Sequence, residues 1–385
     1  MMRYLRCSSG AQERVRSGSR ETSEDLRASG PNSHEFGYDS SRTLTNFLPT
    51  RSCARSSGGL VWPVLALIFW GTAGAAAGAE PDRQELYDRV QQASAEILVE
   101  GHLAGSGCFV DKEGLVLTAA HVLGQSNRAC EIMSPVAGRQ GATFVAVDLG
   151  HDVVLLRVPP RAGGYPMVPL AAALPGPGSE VFLFGAPAYR HGVLQRGMTV
   201  RSGLTFEHQS HFVEVLQIQA PAQEGTSGAP WLNPQGELFG VQSGTINAGQ
   251  HPGGIANVGP LPAIRTLIET KLNAATPTIG LFVDELWVLP PDALRRFPPG
   301  TEGVVIQTLN NDGPATRAGL QKGEAITAVG GQKLRFRDEF VRAILARKPG
   351  DNVELTVISP DGTGSRKVPV AIGCLEVGWP QRPSP

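Results

Sequence analysis

The chain has 385 residues, of which 34 are Lys or Arg and 35 are Asp or Glu, so its formal net charge at pH 7 is −1. A near-neutral charge gives no support for nucleic-acid binding, because such proteins carry an excess of Lys and Arg on one face, nor for electrostatic steering of a charged partner. The length is sufficient for two domains of ordinary size, each with its own core.

The N-terminal part of the chain is set apart by its composition. Residues 1–57 are rich in Ser, Arg, Gly and Glu and lack apolar periodicity, which predicts disorder. Residues 58–79 begin as an apolar run and end in small residues at 77–79, with Arg51 and Arg55 on the upstream side. A basic flank, an apolar run and a small-residue end together predict an exported protein.

Two interpretations of residues 58–79 stay open. The small residues favour a cleaved signal peptide, whereas the length of the run is also sufficient for a retained membrane anchor that leaves the N-terminus in the cytoplasm. Because a cleaved signal has a short basic region before its apolar run, residues 1–57 then imply a translation start placed too far upstream. With an anchor, the same residues form a cytoplasmic tail.

The five cysteines show no metal-ligand spacing such as C-x-x-C, so we expect no metal site. They are Cys7, Cys53, Cys108, Cys130 and Cys374. In an exported chain Cys108 and Cys130 are candidates for a disulfide, since they flank one predicted strand-turn-helix unit. Two buried free thiols are the alternative.

Residues 80–275 are predicted to form a domain of short strands. Their first part has helical spacing and becomes strand-like at residues 95–99. Strand-like runs separated by Gly, Pro and Asn turns then recur, which is typical of a β-barrel or a β-sandwich. These runs are GCFVDKEGLVLTAAHV, TFVAVDLGHDVVLLRV, EVFLFGAP, FVEVLQIQA and GELFGVQSG. A helix is predicted at 260–275, with one apolar face made of Ile264, Leu267, Ile268 and Leu272.

Residues 276–374 are predicted to form a second, small α+β domain that begins with a linker at Thr276 and Pro277. Its predicted elements are strands at 279–283, 303–309 and 325–331, the amphipathic helix FRDEFVRAILARK with Phe340, Ile344 and Leu345 on one stripe, and a hairpin around PDG. Residues 375–385 are rich in Pro and are predicted to be a flexible tail.

Three residues in the first domain form a pattern that predicts nucleophilic catalysis. Ser227 in EGTSGAP needs a base to take its proton and a third group to orient that base. His121 follows a strand-like run in LTAAHV, and Asp152 enters a buried strand in GHDVVLLRV. An Asp at such a position is costly to bury unless it is hydrogen-bonded, so we expect an imidazole N–H beside it. The chain order His, Asp, Ser is the one used on paired β-barrels.

Four stretches around these residues resemble the HtrA/DegP family of serine proteases. They are GSGCFVDKEGLVLTAAHVL, DLGHDVVLLRV and EGTSGAPWLNPQGELFGV in the first domain and GPATRAGLQKGEAITAVGG in the second. Residues 93–272 resemble the trypsin-like protease domain of that family, and the second domain resembles its PDZ domain. The resemblance implies a mainly β protein, in which a chymotrypsin-like double β-barrel protease domain precedes a small α+β PDZ domain.

The resemblance also implies roles for individual residues. His121 is expected to be the general base, Asp152 the acid that orients it and Ser227 the nucleophile. The amides of Gly225 and Ser227 are expected to form the oxyanion hole, and a backbone donor aimed at the developing oxyanion is worth about 10² to 10³ in rate. Gly225 suits this role because a residue without Cβ can turn its amide inward at little steric cost.

The chain also departs from the family pattern near the nucleophile. Thr226 and Ala229 stand where the family usually has Asn and Gly, and Gln219 stands where members commonly carry Asp. Ala220 and Ala222 lie in the segment expected to wall the primary specificity pocket, which therefore has no acid to hold Lys or Arg. We expect cleavage after a small or medium aliphatic residue.

Two further segments are expected to bind peptides. The strand that contains Ser243 and Gly244 is expected to pair with the substrate backbone. In the second domain TIGLF is similar to the loop whose amides capture a C-terminal carboxylate, with Ile279, Gly280 and Leu281 at its centre. A peptide bound there would add as a strand opposite the helix of that domain.

Other polar residues are expected to be structural. His151 and the pair His208 and His211 could suggest a metal site, but no cysteine or acid completes one, so we expect none. Asp148 is the rival acid near Asp152, and we expect it to face solvent.

The sequence therefore predicts an exported serine endopeptidase of the cell envelope or periplasm that cleaves unfolded or misfolded proteins without a cofactor. The expected partners are these substrates and C-terminal peptides at the PDZ domain, and the resemblance implies a homotrimer, although no aromatic contacts for a trimer are evident before Gly105. The alternative is a latent or inactive protease that acts as a chaperone or peptide-binding scaffold.

Overall fold

A computed structural model of the protein describes residues 82–124, 129–208, 211–248, 251–361 and 363–375. The predicted disordered segment and the signal peptide or anchor at 58–79 lie outside these residues. None of the helices within the described ranges is long and apolar enough to cross a bilayer.

The first half of the described chain is a helix followed by a closed six-stranded antiparallel barrel. Asp82 caps the helix, because its Oδ1 accepts a hydrogen bond from Gln84 N at 2.9 Å. The barrel order is β1, β2, β3, β6, β5, β4, with β4 closing onto β1. The elements are α1 (Arg83–Ala93), β1 (Ser94–Val99), β2 (His102–Phe109), β3 (Leu115–Ala119), α2 (Ala120–Leu123), β4 (Cys130–Ser134), β5 (Gly138–Asp148) and β6 (Val153–Arg157).

A second closed barrel follows and carries strands in the order β10, β11, β12, β9, β8, β7. A single turn of 3-10 helix at Pro187–Tyr189 follows its first strand. The prediction of a barrel or sandwich is thus confirmed as two barrels. The elements are β7 (Glu180–Gly185), β8 (Val193–His208), β9 (His211–Gln219), β10 (Pro230–Leu232), β11 (Leu238–Ala248), β12 (His251–Pro260) and α3 (Leu261–Thr270).

Helix α3 returns from the second barrel to the first. Ile264 and Leu267 are fully buried in the core of the first barrel, against β5 and β6. The helix ends at Thr270, five residues before the predicted end, because Lys271 adopts a left-handed conformation (φ 53°, ψ 30°) and its N–H bonds to the Leu267 carbonyl. Leu272, predicted to lie on the apolar face, is therefore exposed.

The C-terminal domain, defined here as β13 to β20, is an antiparallel sheet in the order β14, β15, β16, β18, β19, with β17 beside β16. Helix α6 covers it and buries Phe340, Val341 and Ile344. The elements are β13 (Pro277–Thr278), β14 (Leu281–Glu285), α4 (Pro291–Leu294), β15 (Val304–Leu309), α5 (Pro314–Arg317), β16 (Ala325–Val329), β17 (Gln332–Lys333), α6 (Arg337–Leu345), β18 (Asn352–Ile358), β19 (Ser365–Ala371) and β20 (Gly373–Cys374).

Strands β13 and β20 pair with each other, so the two ends of the C-terminal domain lie together. Leu375 extends this pairing, because its N–H donates to the Thr276 carbonyl at 2.8 Å. Leu375, the first residue of the predicted tail, is therefore bonded to the segment that enters the domain, and the rest of that tail lies outside the described residues.

Cys108 and Cys130 are not joined by a disulfide in the structure. Cys108 is buried in the first barrel, Cys130 is half-buried and Cys374 is exposed. Burial raises the pKa of the Cys108 thiol to about 12, so this side chain is protonated and unreactive at neutral pH. The sequence left open a disulfide between Cys108 and Cys130 or two free thiols, and the structure has the free thiols.

The two barrels are in close contact at Gly228, which follows the predicted nucleophile. Its φ is +83°, and a Cβ at this position would overlap Thr118 Oγ1 and the Ser106 carbonyl oxygen of the first barrel. Only a residue without a side chain allows this approach. Gly163, at φ +81°, has the same backbone conformation but nothing within 4 Å of an added Cβ.

We expect Gly228→Ala to lower the free energy of unfolding by on the order of 3 kcal/mol or more, because overlap adds to the cost of the left-handed backbone. Gly163→Ala carries only the backbone cost of about 1 to 2 kcal/mol. Chemical denaturation of both variants measures the difference, and equal losses would contradict close contact between the barrels at Gly228.

Candidate active site

Asp152 is the most buried charged group of the candidate site. It lies in the turn between β5 and β6, is 2% exposed and has a left-handed φ of 55°. Its Oδ1 accepts a hydrogen bond from His121 N at 2.9 Å, and its Oδ2 lies 2.7 Å from His121 Nδ1. The hydroxyl of Ser243 donates to the same Oδ2 at 2.5 Å. A buried carboxylate requires such donors, and here they come from both barrels.

His121 is positioned by the short helix α2, which begins directly after β3. Ala120 N donates to the Asp152 carbonyl at 3.1 Å, so both backbone and side chain of Asp152 hold this helix. Burial of the imidazole by itself would lower the pKa of His121, but the charge of Asp152 and the hydrogen bond to it outweigh burial, so the pKa is raised above its ordinary value. The imidazole is thus a stronger base than a free histidine.

Ser227 lies in a tight loop between β9 and β10 that is bonded to both barrels. Its carbonyl accepts a hydrogen bond from Ser106 N of β2 at 2.7 Å. The next residue, Gly228, donates its N–H to the Gln242 carbonyl at 2.7 Å, and Gln242 directly precedes the Ser243 that bonds Asp152. The loop is therefore held beside the end of β3, from which His121 follows.

Two amides of this loop are directed away from the protein's own acceptors. The Glu224 carbonyl accepts a hydrogen bond from Ala188 N at 2.7 Å. Because a trans peptide is planar, the Gly225 N–H on the same peptide points the opposite way. Within the described residues neither Gly225 N nor Ser227 N donates to a protein acceptor. Buried amides are nearly always paired, so two that are not are suited to bind a ligand oxygen.

A strained turn holds the Glu224 carbonyl in place. Ala188 and Tyr189 both adopt left-handed backbone conformations, with φ of 48° and 58°. Such conformations cost about 1 to 2 kcal/mol for each residue with a Cβ and are concentrated at functional sites. Ser106 supports the same region, because its buried hydroxyl donates to the Gly225 carbonyl at 2.8 Å and accepts from Ala186 N at 3.1 Å. The sequence indicated neither contact.

Ser243 and Gly244 lie on β11 where its pairing with β12 is interrupted between Gln242 and Thr245. The Gln242 side chain donates its Nε2 to the Gly244 carbonyl at 2.8 Å. This strand was expected to bind substrate, and the interruption leaves room for that use. The hydroxyl of Ser243 also contacts Asp152, which the sequence did not indicate.

Ala220 and Ala222 are both buried in the core of the second barrel. An open cleft of about 560 Å³ lies beside Ala220, and Glu180 and Arg196 line it. Glu180 is the acid that the sequence did not place near this segment. It is paired with Arg83 at 2.6 Å and with Arg196 at 3.4 Å, so its charge is already balanced.

The other polar residues of the first barrel differ in part from expectation. Asp148 was expected to face solvent, but it is 6% exposed and its Oδ2 lies 2.8 Å from His151 Nδ1. The prediction was wrong because the β5–β6 turn folds His151 back over the end of β5. His208 and His211 pair across the β8–β9 hairpin. No group of side chains in the described ranges could hold a metal ion.

In the C-terminal domain the loop Ile279 to Leu281 lies just before β14, an edge strand of the sheet. Gly280 N donates to Thr278 Oγ1 at 3.1 Å. A cavity of about 30 Å³ between this loop and Phe340 and Ile344 of α6 has room for about one water molecule. A peptide side chain therefore requires α6 and the loop to move apart.

The hairpin of β8 and β9 lies against the same domain. Helix α6 contacts β8, and β14 contacts β9. Arg201 on β8 forms an ion pair with Asp338 on α6 at 3.5 Å. The edge strand and the helix that a bound peptide would contact thus both adjoin the second barrel.

Known proteins match both parts of the chain. The family of the trypsin-like peptidase domain matches residues 105–241, and the PDZ domain family matches residues 286–368, which begins after the loop at 279–281. Serine endoprotease DegS of Escherichia coli K12 is 26% identical over 295 residues, 74% of this chain and 81% of that protein. Serine protease HTRA1 of Xenopus tropicalis is 25% identical over 291 residues, 71% of this chain and 60% of that protein.

Solved structures show the same fold. The serine endoprotease from Yersinia pestis, 21% identical, has a TM-score of 0.54 and covers 76% of this chain and 98% of its own. The HtrA-type protease AlgW with decapeptide, 19% identical, has a TM-score of 0.55 and covers 78% of this chain and 99% of its own. The predicted fold class is confirmed. The protein is an HtrA-like serine endopeptidase, in which a trypsin-like peptidase domain of two β-barrels precedes a C-terminal PDZ domain.

Proposed function

We propose that the protein cleaves unfolded or misfolded proteins in the cell envelope, with Ser227 as nucleophile, His121 as general base and Asp152 as the acid that orients it. The observation that carries this proposal is the buried Asp152 carboxylate, which bonds both the backbone and the Nδ1 of His121. That contact fixes the imidazole tautomer with its proton on Nδ1 and leaves Nε2 to accept the serine proton.

The reaction proceeds through an acyl-enzyme. Ser227 Oγ attacks the substrate carbonyl carbon while its proton passes to His121 Nε2, and the amides of Gly225 and Ser227 bind the resulting oxyanion. The peptide C–N bond then breaks as His121 gives its proton to the leaving amine. Water, deprotonated by His121, then attacks the ester carbonyl. The ester C–O bond breaks as His121 returns the proton to Ser227 Oγ, which releases the carboxylic acid product and regenerates the serine.

The substrate is proposed to bind as an extended strand on Ser243 and Gly244, with a small or medium aliphatic side chain before the cut. The small side chains of Ala220 and Ala222 and the paired state of Glu180 support this preference. The cellular location rests on the apolar segment 58–79 and on the relative from Pseudomonas fluorescens, 26% identical, that is named a probable periplasmic serine endoprotease.

The PDZ domain is proposed to bind C-terminal or extended peptides at Ile279, Gly280 and Leu281. The edge position of β14 supports addition of a peptide strand, and α6 supplies the apolar wall. A homotrimer is proposed on the resemblance to the family alone, and light scattering on the full-length protein measures it.

We expect full-length protein to degrade unfolded casein and Ser227→Ala to lose this activity by at least 10³-fold, because removal of a triad nucleophile abolishes covalent catalysis. Gel analysis with and without a peptide that has an apolar C-terminus measures the degradation. Ser365→Ala, at an exposed position of β19, is the matched control and keeps the wild-type rate.

Two outcomes would contradict the proposed protease. Equal cleavage by wild type and Ser227→Ala would assign the nucleophile elsewhere. Absence of cleavage by both proteins under either peptide condition, with suppression of casein aggregation by both, would establish the latent, chaperone-like alternative.

The pH dependence tests the pairing of His121 with Asp152. The base must be neutral, so activity rises with pH through the pKa of His121, which lies above its ordinary value in the folded protein. Asp152→Asn removes the two effects that raise this pKa and leaves burial, which lowers it. We expect the acid limb of kcat/KM to move to lower pH and the plateau to fall by about 10⁴. Asp88→Asn, at an exposed position of α1, is the control. If the acid limb of kcat/KM does not move in Asp152→Asn, the pairing of His121 with Asp152 is wrong.

Peptide capture by the PDZ domain depends on a free carboxylate. We expect a fluorescent decapeptide with an apolar C-terminus to bind the Ser227→Ala protein at least tenfold more tightly than the same peptide with an amidated C-terminus, because the loop amides bond an anion more strongly than a neutral group. Fluorescence anisotropy measures both affinities. Equal affinities would place the peptide away from Ile279 to Leu281.

A further inference from the structure

A second histidine lies beside the buried carboxylate and takes no part in the proposed proton relay. His151 immediately precedes Asp152 in the turn between β5 and β6. Its Nδ1 lies 2.8 Å from Asp148 Oδ2, and its Nε2 lies 3.6 Å from Glu214 Oε2 of β9. The ring thus joins the end of a strand in the first barrel to a strand of the second.

The surroundings of this ring favour its charged form. Burial alone would lower the pKa of His151, but the hydrogen bond to Asp148 and the negative charges of Asp148 and Glu214 outweigh burial and raise it to about 9. Asp148 faces the ring from β5 and Glu214 from β9, and Arg342 of α6 acts on Glu214, whose pKa is lowered chiefly by His151. At neutral pH the ring is therefore a cation held between two carboxylates.

The backbone at this turn needs such support. Asp152 has a left-handed φ of 55°, which is strained for a residue with a side chain and persists only where neighbouring contacts fix it. One contact is backbone to backbone, since Glu214 N donates to the Gly150 carbonyl at 3.0 Å. The side-chain contacts of His151 fix the next residue along the chain, which directly precedes Asp152.

We propose that His151 is a positioning residue for Asp152, which as a cation between Asp148 and Glu214 holds the turn so that the Asp152 carboxylate stays aligned with His121. Its kinetic consequence rests on the proposed function of the triad. Its structural consequence, the alignment of Asp152 with the imidazole, is independent of cleavage.

Full-length His151→Gln and Glu214→Gln test this role, with His102→Gln, at an exposed position of β2, as the matched control. We expect the first variant to lower kcat for a fluorogenic peptide about tenfold with KM within twofold, since a misaligned base affects the transition state and not substrate binding. Glu214→Gln should also lower kcat, by a smaller factor than His151→Gln. Thermal unfolding of each variant shows that it is folded.

A second readout separates positioning from general destabilisation. The His121 Nδ1 proton, bonded to Asp152, gives a low-field NMR resonance that reports the geometry of that hydrogen bond. In the Ser227→Ala background we expect His151→Gln to shift or broaden this resonance and His102→Gln to leave it unchanged. The ratio of wild-type kcat to the kcat of His151→Gln should decrease as the pH rises through about 9, because the wild-type ring then loses its charge.

The outcomes decide the proposal in each case. An unchanged resonance in both His151→Gln and Glu214→Gln overturns it, whether or not kcat falls, because a fall without a change at His121 is a stability effect. If the wild type does not cleave any substrate, the proposed function fails, and the resonance alone then decides whether His151 positions Asp152. If His151→Gln does not fold, Glu214→Gln, which keeps the imidazole, decides in its place.

Discussion

The burial of one carboxylate constrains the whole protease domain. Asp152 is nearly inaccessible to solvent, so its charge requires donors supplied by the protein. His121 comes from the first barrel and Ser243 from the second, and both bond the same oxygen. Two barrels that separated by even a small distance would leave the charge without one of its partners. The ion therefore fixes how the barrels meet, as well as how the imidazole is oriented.

The loop of Ser227 is held by the same closure of the barrels. Gly228 fits against Thr118 and Ser106 without room for a side chain, and the Gly225 carbonyl is bonded to the Ser106 hydroxyl. The strained residues Ala188 and Tyr189 fix the Glu224 peptide, which sets the direction of the adjacent amide. The amides of Gly225 and Ser227 are therefore unpaired because neighbouring contacts fix the peptides that carry them, and part of this order is held by the strained backbone of Ala188 and Tyr189.

The sequence predicted the elements that depend on local pattern and missed those that depend on contacts distant in the chain. Short strands between turns, and the helix at α6, follow from apolar spacing. The end of α3 does not, because a left-handed Lys271 has no sequence signature. Asp148 was predicted to face solvent. In the structure it bonds to His151, three residues later, only because a tight turn brings the imidazole back over the end of β5, and the sequence does not show that turn. The bond from Ser243 to Asp152 joins residues 91 positions apart, and its short Ser-Gly sequence resembles an ordinary turn.

The segment between the two domains is bonded to the turn that carries Asp152. Asn273 Oδ1 accepts a hydrogen bond from Val147 N at 3.1 Å, and Thr276 Oγ1 accepts one from Gly150 N at 3.1 Å. Strand β13 of the PDZ domain begins one residue later, at Pro277. A displacement of that domain therefore pulls on a backbone amide two residues from Asp152. The linker thus connects the PDZ domain, through two hydrogen bonds, to the turn in which the Asp152 carboxylate is held within hydrogen-bonding distance of His121.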